Sequence, residues 1–296
     1  MITILVRRSR YETFYGWHAS DGNFTNVGQS PIPKGLEEFY NATGKPGILE
    51  LEGVFFTAAA KPLRGMVMKP GGAAAWKTLA AEIKPLVEKK VIIGFMLGDE
   101  IVWNGVSWQD LNNTALLVKS TFPDAFLYYN EGGAPLWGNY NVNHKKTEYP
   151  HIPDAVDYVS TDDYGTINTG GMNASAIKKL ANAPNQYKRF IYPRLLPHQK
   201  VFVVPQAYAG AITGYCPAVK SFSAPTPTDL AAMDDCLLNQ TIGYLRWIDA
   251  DDKIVGLDGF HLSTYGKAPG HVDYGVVSMP KTLECYMTLG DQLNGK

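Results

Sequence analysis

The sequence predicts one α/β domain over residues 1–296, a single (β/α)8 barrel, and three observations point there. At 296 residues the chain has the length of one such barrel, which typically needs about 250. Short apolar runs alternate with longer stretches of helical character along its whole length. No Gly-rich GxGxxG turn follows the first apolar run, which sets aside the doubly wound sheet, the main alternative.

Eight runs read as strands: 3–7, 13–18, 47–54, 91–97, 125–129, 156–160, 201–205 and 256–263. Several are apolar nearly throughout, as expected of parallel strands covered on both faces. Helices are expected over 73–89, 108–120, 174–190, 228–248 and 280–293. The fourth starts on Pro227-Thr228-Asp229, a sound N-terminal signature. Residues 1–18 hold two short runs with no helix between them, so the first strand has the weakest pattern. No repeat, low-complexity tract or linker divides the chain.

Hydrophobic residues make up 45% of the chain, enough for a large core and incompatible with intrinsic disorder. Charged residues are only 19%, while the chain carries 17 Tyr and 6 Trp. With 27 basic and 28 acidic residues the net charge is −1, which gives no basis for nucleic-acid or anionic-membrane binding. The longest apolar run, near Val91–Leu97, falls far short of the ~20 residues of a membrane span. Nothing in the sequence fixes an oligomeric state.

The compartment is read from cysteines and sequons. Five Asn-x-Ser/Thr sequons start at Asn23, Asn41, Asn112, Asn173 and Asn239, where about two would arise by chance. We therefore expect a secreted glycoprotein, with the sequons on its surface, although Met1–Arg10 does not read as a signal peptide. A Cys216–Cys236 disulfide would close a Pro-rich loop and contribute ~3 kcal/mol in the chain-entropy model. Cys285 would remain as a buried thiol in the last helix. No CxxC or Cys/His ligand spacing is present, so neither a structural zinc site nor any other cofactor is expected.

In a barrel of this type the polar residues at the carboxyl ends of the strands build the site. The apolar run Ile92–Leu97 leads through Gly98 into Asp99-Glu100 and then Trp103. Regular strand alternation would turn Asp99 and Glu100 to opposite sides, so only one of them would face the mouth. The next exit reads Tyr129-Asn130-Glu131-Gly132-Gly133. Later exits supply Asp162-Asp163-Tyr164, then Gln206 and Tyr208, and finally His261 with Tyr265. The early exits add Glu50, Glu52, Trp17 and His18. Any one of these is an ordinary loop residue by itself, but acids or amides at four successive exits form a pattern.

Glycoside hydrolysis suits this inventory. It needs one carboxyl held protonated as acid and another ionised as nucleophile or base. Acids clustered in a partly apolar cleft raise one another's pKa. Sugars also stack their apolar faces on aromatic rings, and Trp17, Trp103, Tyr129, Tyr164, Tyr208 and Tyr265 lie beside the exits.

On these residues the chain resembles the (β/α)8-barrel glycoside hydrolases. Gly94-Phe95-Met96-Leu97-Gly98-Asp99-Glu100 is similar to their strand-four acid/base segment. Ser160-Thr161-Asp162-Asp163-Tyr164-Gly165 is similar to a strand-six Asp-Tyr motif of the chitinase-like group. The resemblance implies a barrel hydrolase with Glu100 as general acid. The chitinase-type DxxDxDxE run is absent, since Met96 and Gly98 occupy two of its acidic positions, and Gln206 stands where other members carry a second Glu on strand seven. The second carboxylate stays open among Glu131, Asp163 and Asp162, with Asp99, Gln206, Tyr208 and His261 as further substrate contacts. The expected substrate is a neutral glycan, in keeping with the near-zero net charge. Two alternatives accompany this reading: a lectin-like barrel that binds without cleaving, and a hydrolase holding a metal on Asp99, Asp162, Asp163 and His261.

Overall fold

The computed structural model describes residues 14–18, 25–61, 64–137, 141–161, 183–205, 218–219, 225–260, 265–268, 271–273 and 275–293. Contacts divide the chain into two compact units, one spanning Val27–Asp162 with Lys188–Phe202 and the other gathering the remainder.

The first unit is built on a parallel sheet. Its strands are β2 (Gly28–Ser30), β3 (Gly47–Glu50), β6 (Ile92–Asp99), β7 (Phe126–Glu131), β8 (Tyr158–Thr161) and β9 (Lys200–Val203). Each pairs in parallel with the next in that order. Between them run α1 (Pro33–Thr43), α3 (Gly72–Glu88), α4 (Trp108–Thr121) and the short α5 (Gly133–Trp137). All the carboxyl ends therefore point the same way, as the alternation of strands and helices requires.

Phe95 of β6 faces the helices and meets Trp76 of α3 edge-on, with centroids 5.6 Å apart, and stacks on Phe122 at 5.5 Å. Trp76 is 2% exposed, and its indole N–H donates to Thr121 Oγ1 at 3.1 Å. The opposite face of the sheet is also aromatic. There Tyr128 and Tyr158 pack on Phe202, at 4.8 and 5.0 Å, and Phe126 packs on Tyr158 at 5.1 Å. Gly94 makes room for this layer, since a Cβ there would lie 2.3 Å from the Phe126 ring.

The helix ends follow from local chemistry. Ser107 caps α4 by accepting from Asp110 N at 3.1 Å. Gly44 ends α1 in the left-handed conformation at φ 69°, its N–H reaching Tyr40 O.

The second unit contains a parallel pair, β1 (Phe14–His18) with β10 (Ile254–Phe260), and an antiparallel pair, β11 (Tyr265–Ala268) with β12 (His271–Asp273). It also holds α6 (Pro227–Ala250) and α7 (Pro280–Leu293). Thr226 and Asp229 form a capping box at the start of α6, so the cap lies one residue before the Pro-Thr signature. Asp234, buried within α6, accepts from the backbone N–H groups of Lys281 and Thr282 at 2.8 and 2.9 Å. It thereby satisfies the exposed end of α7 and ties the two helices together.

Several boundaries differ from expectation. The run 47–54 is a strand only to Glu50, because Leu51 leaves extended geometry at ψ 1° and a helical turn, α2 (Glu52–Phe55), follows. β4 (Phe56–Ala58) and β5 (Met66–Met68) then form a short antiparallel hairpin. α1 escapes pattern reading because Leu36 is its one fully buried residue, and β2 escapes because it is three residues long. Helices 73–89, 108–120 and 280–293 fall within a residue of their expected bounds. The expected strand 3–7 and most of helix 174–190 lie outside the described residues.

The surface expectation for the sequons fails at one position. Asn112 is 5% exposed, and its Oδ1 accepts from Asp154 N at 2.9 Å, so it serves the fold. Asn41 is exposed, Asn239 is half-buried, and Asn23 and Asn173 lie outside the described residues. Cys285 is free and buried, as expected. Cys216, and with it the Cys216–Cys236 bridge, lies outside the described residues. Among the described residues no helix is long and apolar enough to cross a membrane.

Replacing Trp76 by Ala should cost about 3–5 kcal/mol in denaturant unfolding, because the indole is the hub of a closed aromatic cluster. Asp234→Ala, which orphans two backbone N–H groups, should cost about 1–3 kcal/mol.

Candidate active site at the strand exits

The carboxyl end of β6 departs from regular geometry. Met96 pairs with Tyr128 but Asp99 pairs with Asn130, so three residues on β6 oppose two on β7. This bulge contains Gly98 at φ 152°, where a Cβ would lie 2.5 Å from Ile101 Cδ1. The extra residue reverses the parity of the strand and brings Asp99 to the face that carries Met96, Tyr128 and Asn130. Glu52 Oε2 fixes the distortion by accepting from Asp99 N at 3.0 Å.

Asp99 ends a line of hydrogen bonds across three strands. Ser160 Oγ donates to Asn130 Oδ1 at 2.6 Å, and Asn130 Nδ2 donates to Asp99 Oδ1 at 2.7 Å. With the Ser160 proton committed, the Tyr128 hydroxyl must donate to Ser160 Oγ, 2.7 Å away. On the same face Gln29 Nε2 donates to Glu50 Oε1 at 3.0 Å and lies 3.1 Å from Met96 Sδ. Acids and amides from β2, β3, β6 and β7 thus share one face near the strand exits with the Ser160 hydroxyl of β8.

Glu100 comes next, and it is half-buried. Its backbone sits at φ 50°, a left-handed conformation unusual for a residue with a side chain. The strand alternation expected for the Asp99-Glu100 pair therefore stops at Asp99. Glu100 N donates to Asn130 O at 2.9 Å, and Glu100 O accepts from Asn104 N at 2.7 Å. Its carboxylate reaches the end of β7, where a Cβ on Gly132 would lie 3.2 Å from Glu100 Oε1 and 2.8 Å from Trp103 Cβ. Gly132 is needed at this position because the Trp103 and Glu100 side chains fill its missing volume. Trp103 is half-buried, and its carbonyl accepts from Val142 N.

Glu131 lies on the other face of the sheet, in the row of Leu127 and Tyr129, and has no exposed surface. Its Oε1 accepts from Trp103 N at 3.0 Å and Gly132 N at 2.9 Å, and its Oε2 from Val102 N at 3.2 Å. Burial pushes its pKa up to about 8, against the pull of these N–H groups, and the Glu100 charge adds to the rise. Tyr129 is fully buried on the same face, with its hydroxyl paired to that of Tyr149, so it packs in the core. The structure thus groups Asp99, Glu100 and Trp103 at the strand exits, while Glu131 and Tyr129 lie behind them.

Trp17 is in β1 and Tyr265 in β11. Asp162, Asp163, Tyr164, Gln206, Tyr208 and His261 lie outside the described residues. No group of three or more His, Cys, Asp or Glu able to hold a metal occurs among the described residues. Sequence reading passed over Gln29 and Gly132. The Gly132-Gly133 pair directly after an acid was the available signal for the second, and Gln29 gave none.

No protein-family model matches the chain, and a search of curated proteins found no relative. Solved structures do resemble it. A beta-glucuronidase from an uncultured Clostridium sp. matches 96% of this chain with a TM-score of 0.56 at 12% identity. The match spans only 50% of that protein. Xylanase XynB from Paenibacillus barcinonensis, solved with a conduramine derivative, matches 92% of this chain and 95% of its own (TM-score 0.53, 12% identity). An endo-1,4-beta-xylanase from Caldicellulosiruptor owensensis matches 94% and 96% (TM-score 0.54, 9% identity). At these identities the likeness is one of fold: this α/β chain shares the fold of glycosidases.

The buried Glu131 makes stability depend on pH. Its folded pKa lies above the ordinary 4.5, so the folded state holds the proton more tightly. The resulting stabilisation is full below about 4.5 and is lost as pH rises to about 8. Melting temperatures across this range should show that slope, and Glu131→Gln should flatten it. Separately, Ser160→Ala removes the buried hydrogen bonds from Tyr128 to Ser160 and from Ser160 to Asn130 and should cost about 1–3 kcal/mol in denaturant unfolding.

Proposed function

We propose that this chain is a secreted glycoside hydrolase, folded as a single closed (β/α)8 domain, that cleaves a neutral glycan with two carboxyl groups. One observation carries the reading: Glu100 stands at the exit of β6, beside a face lined with Asp99, Asn130, Glu50 and Gln29. The glycosidase fold shared over more than nine-tenths of the chain supports it. The xylanases among the similar structures support a β-linked polysaccharide as substrate.

In this mechanism Glu100 gives its proton to the glycosidic oxygen as the bond to the anomeric carbon breaks. A second carboxylate attacks that carbon, or takes a proton from the water that does. Asp163, just after β8, is the preferred second group, with Asp162 as the alternative. Asp99, Asn130 and Gln29 offer hydrogen bonds to sugar hydroxyls, and Trp103 offers a ring face for stacking. A second reading, binding without cleavage, is favoured by Gln206, an amide where related barrels place a carboxylate.

Glu100→Gln keeps the shape of the side chain and removes its proton. Against wild type, on a panel of aryl β-glycosides and xylan, it should lose about 10²–10⁴-fold in kcat with an unchanged melting temperature. Wild-type turnover in that variant would overturn the assignment. Saccharide binding by the wild type without any product would establish the second reading.

The proposed secretion and Cys216–Cys236 bridge have their own check. Among the described cysteines Cys285 alone is a free thiol. Unfolded, unreduced protein should therefore take up one maleimide per chain. A glycan should appear at exposed Asn41 and not at Asn112.

A further inference from the structure

Among the described residues at the strand exits Glu131 is the one fully buried carboxyl, and the proposed reaction does not use it. We propose that Glu131 is a positioning residue that holds Glu100 in place through the backbone of residues 102–103, and that it never meets the substrate. The proposal rests on the reading of Glu100 as the acid and deepens it.

The geometry supports this in three ways. First, Glu131 has no exposed surface, and both its oxygens are engaged by backbone N–H groups. An attacking carboxylate needs a lone pair facing the substrate, and Glu131, with no exposed surface, has no approach by which to offer one. Second, two of its donors, Val102 N and Trp103 N, belong to the turn that begins at Glu100. A left-handed conformation at a non-Gly residue is strained and persists only where its surroundings over-determine it. The over-determination is visible here. Asn130 O holds the front of the turn through Glu100 N, Glu131 holds its middle, and the Asn104 N to Glu100 O bond closes it. Third, Gly132 opens the space in which the Glu100 carboxylate and Trp103 sit, and Gly132 N is the third donor to Glu131. The side chain that anchors the turn thus also fixes the floor beneath Glu100.

The two carboxyls are close enough to sense one another. Among the described residues Glu100 is the charged group whose field acts on Glu131, reinforcing the upward push of burial. Among the described residues, Thr161 beside it on β8, Tyr129 on its own strand and the backbone of 102–103 are uncharged neighbours. Burial thus keeps Glu131 largely protonated at neutral pH.

The test uses the full chain with 13C-carboxyl-labelled Glu, in wild type, Glu131→Gln and Glu100→Gln. Glu131 should titrate near 8 in wild type, with the amide signals of Val102 and Trp103 moving at the same midpoint. Glu100→Gln should lower that midpoint, a shift that packing alone would not produce. An unmoved midpoint, or amides silent through the titration, overturns the proposal.

Kinetics on a 4-nitrophenyl glycoside that the wild type cleaves give the second arm. Glu131→Gln should lower kcat by up to about a hundredfold with KM nearly unchanged. Added azide should neither restore the rate nor yield a glycosyl azide with Glu131→Gln or Glu131→Ala. Formation of that azide would make Glu131 the nucleophile and overturn the proposal. If Glu100→Gln turns over like wild type, the acid assignment fails, while the NMR coupling still decides whether Glu131 anchors the turn.

Discussion

A buried carboxyl group is tolerated in a protein only when donors meet it, and here three backbone N–H groups converge on Glu131. The loop after β6 depends on that convergence. Together with the Glu100 N–Asn130 O and Asn104 N–Glu100 O bonds it holds Glu100 at φ 50°. The bulge at Gly98 is the matching device on the strand itself, since it moves Asp99 to the face of Asn130. A distorted strand end and a buried hydrogen-bond acceptor together present two adjacent acids in different environments. Asp99 is drawn into a hydrogen-bonded row, while Glu100 is left half-exposed.

The rest of the first unit serves as a frame for this arrangement. Parallel strands send every carboxyl end the same way, so polar residues far apart in sequence arrive side by side. The aromatic cluster around Trp76 and the ring layer of Tyr128, Tyr158 and Phe202 stiffen the sheet from its two faces. A row such as Tyr128, Ser160, Asn130 and Asp99 keeps its short hydrogen bonds only on strands that do not slide. A site able to bind sugar hydroxyls needs that rigidity, because its polar groups must already point where the ligand will be.

Much of this was legible in the sequence. Ile92–Leu97 is apolar and ends in acids, and it forms β6 with those acids at its exit. The helix over 280–293 was legible to the residue, because its apolar spacing is undisturbed. What stayed hidden has physical causes. Three residues of β2 are too few to show a period, and α1 buries too little to show one. The run 47–54 looked like one strand because Val54 and Phe55 continue its apolar character, yet they pack from a helical turn. The face of Asp99 could not be read by alternation, because the bulge at Gly98 changes the parity of β6 just before it. Asn112 shows the same limit: its sequon marks it for the surface, while its hydrogen bond to Asp154 places it inside.

The central claim is that saccharide binds at the strand exits with Glu100 at the scissile bond. The most direct measurement is a crystal structure of Glu100→Gln soaked with a xylo-oligosaccharide. The account predicts sugar rings across the ends of β3, β6, β7 and β8, with the residue-100 amide within hydrogen-bond distance of a glycosidic oxygen and Glu131 untouched. A saccharide bound away from these exits, or one contacting Glu131 directly, would contradict it.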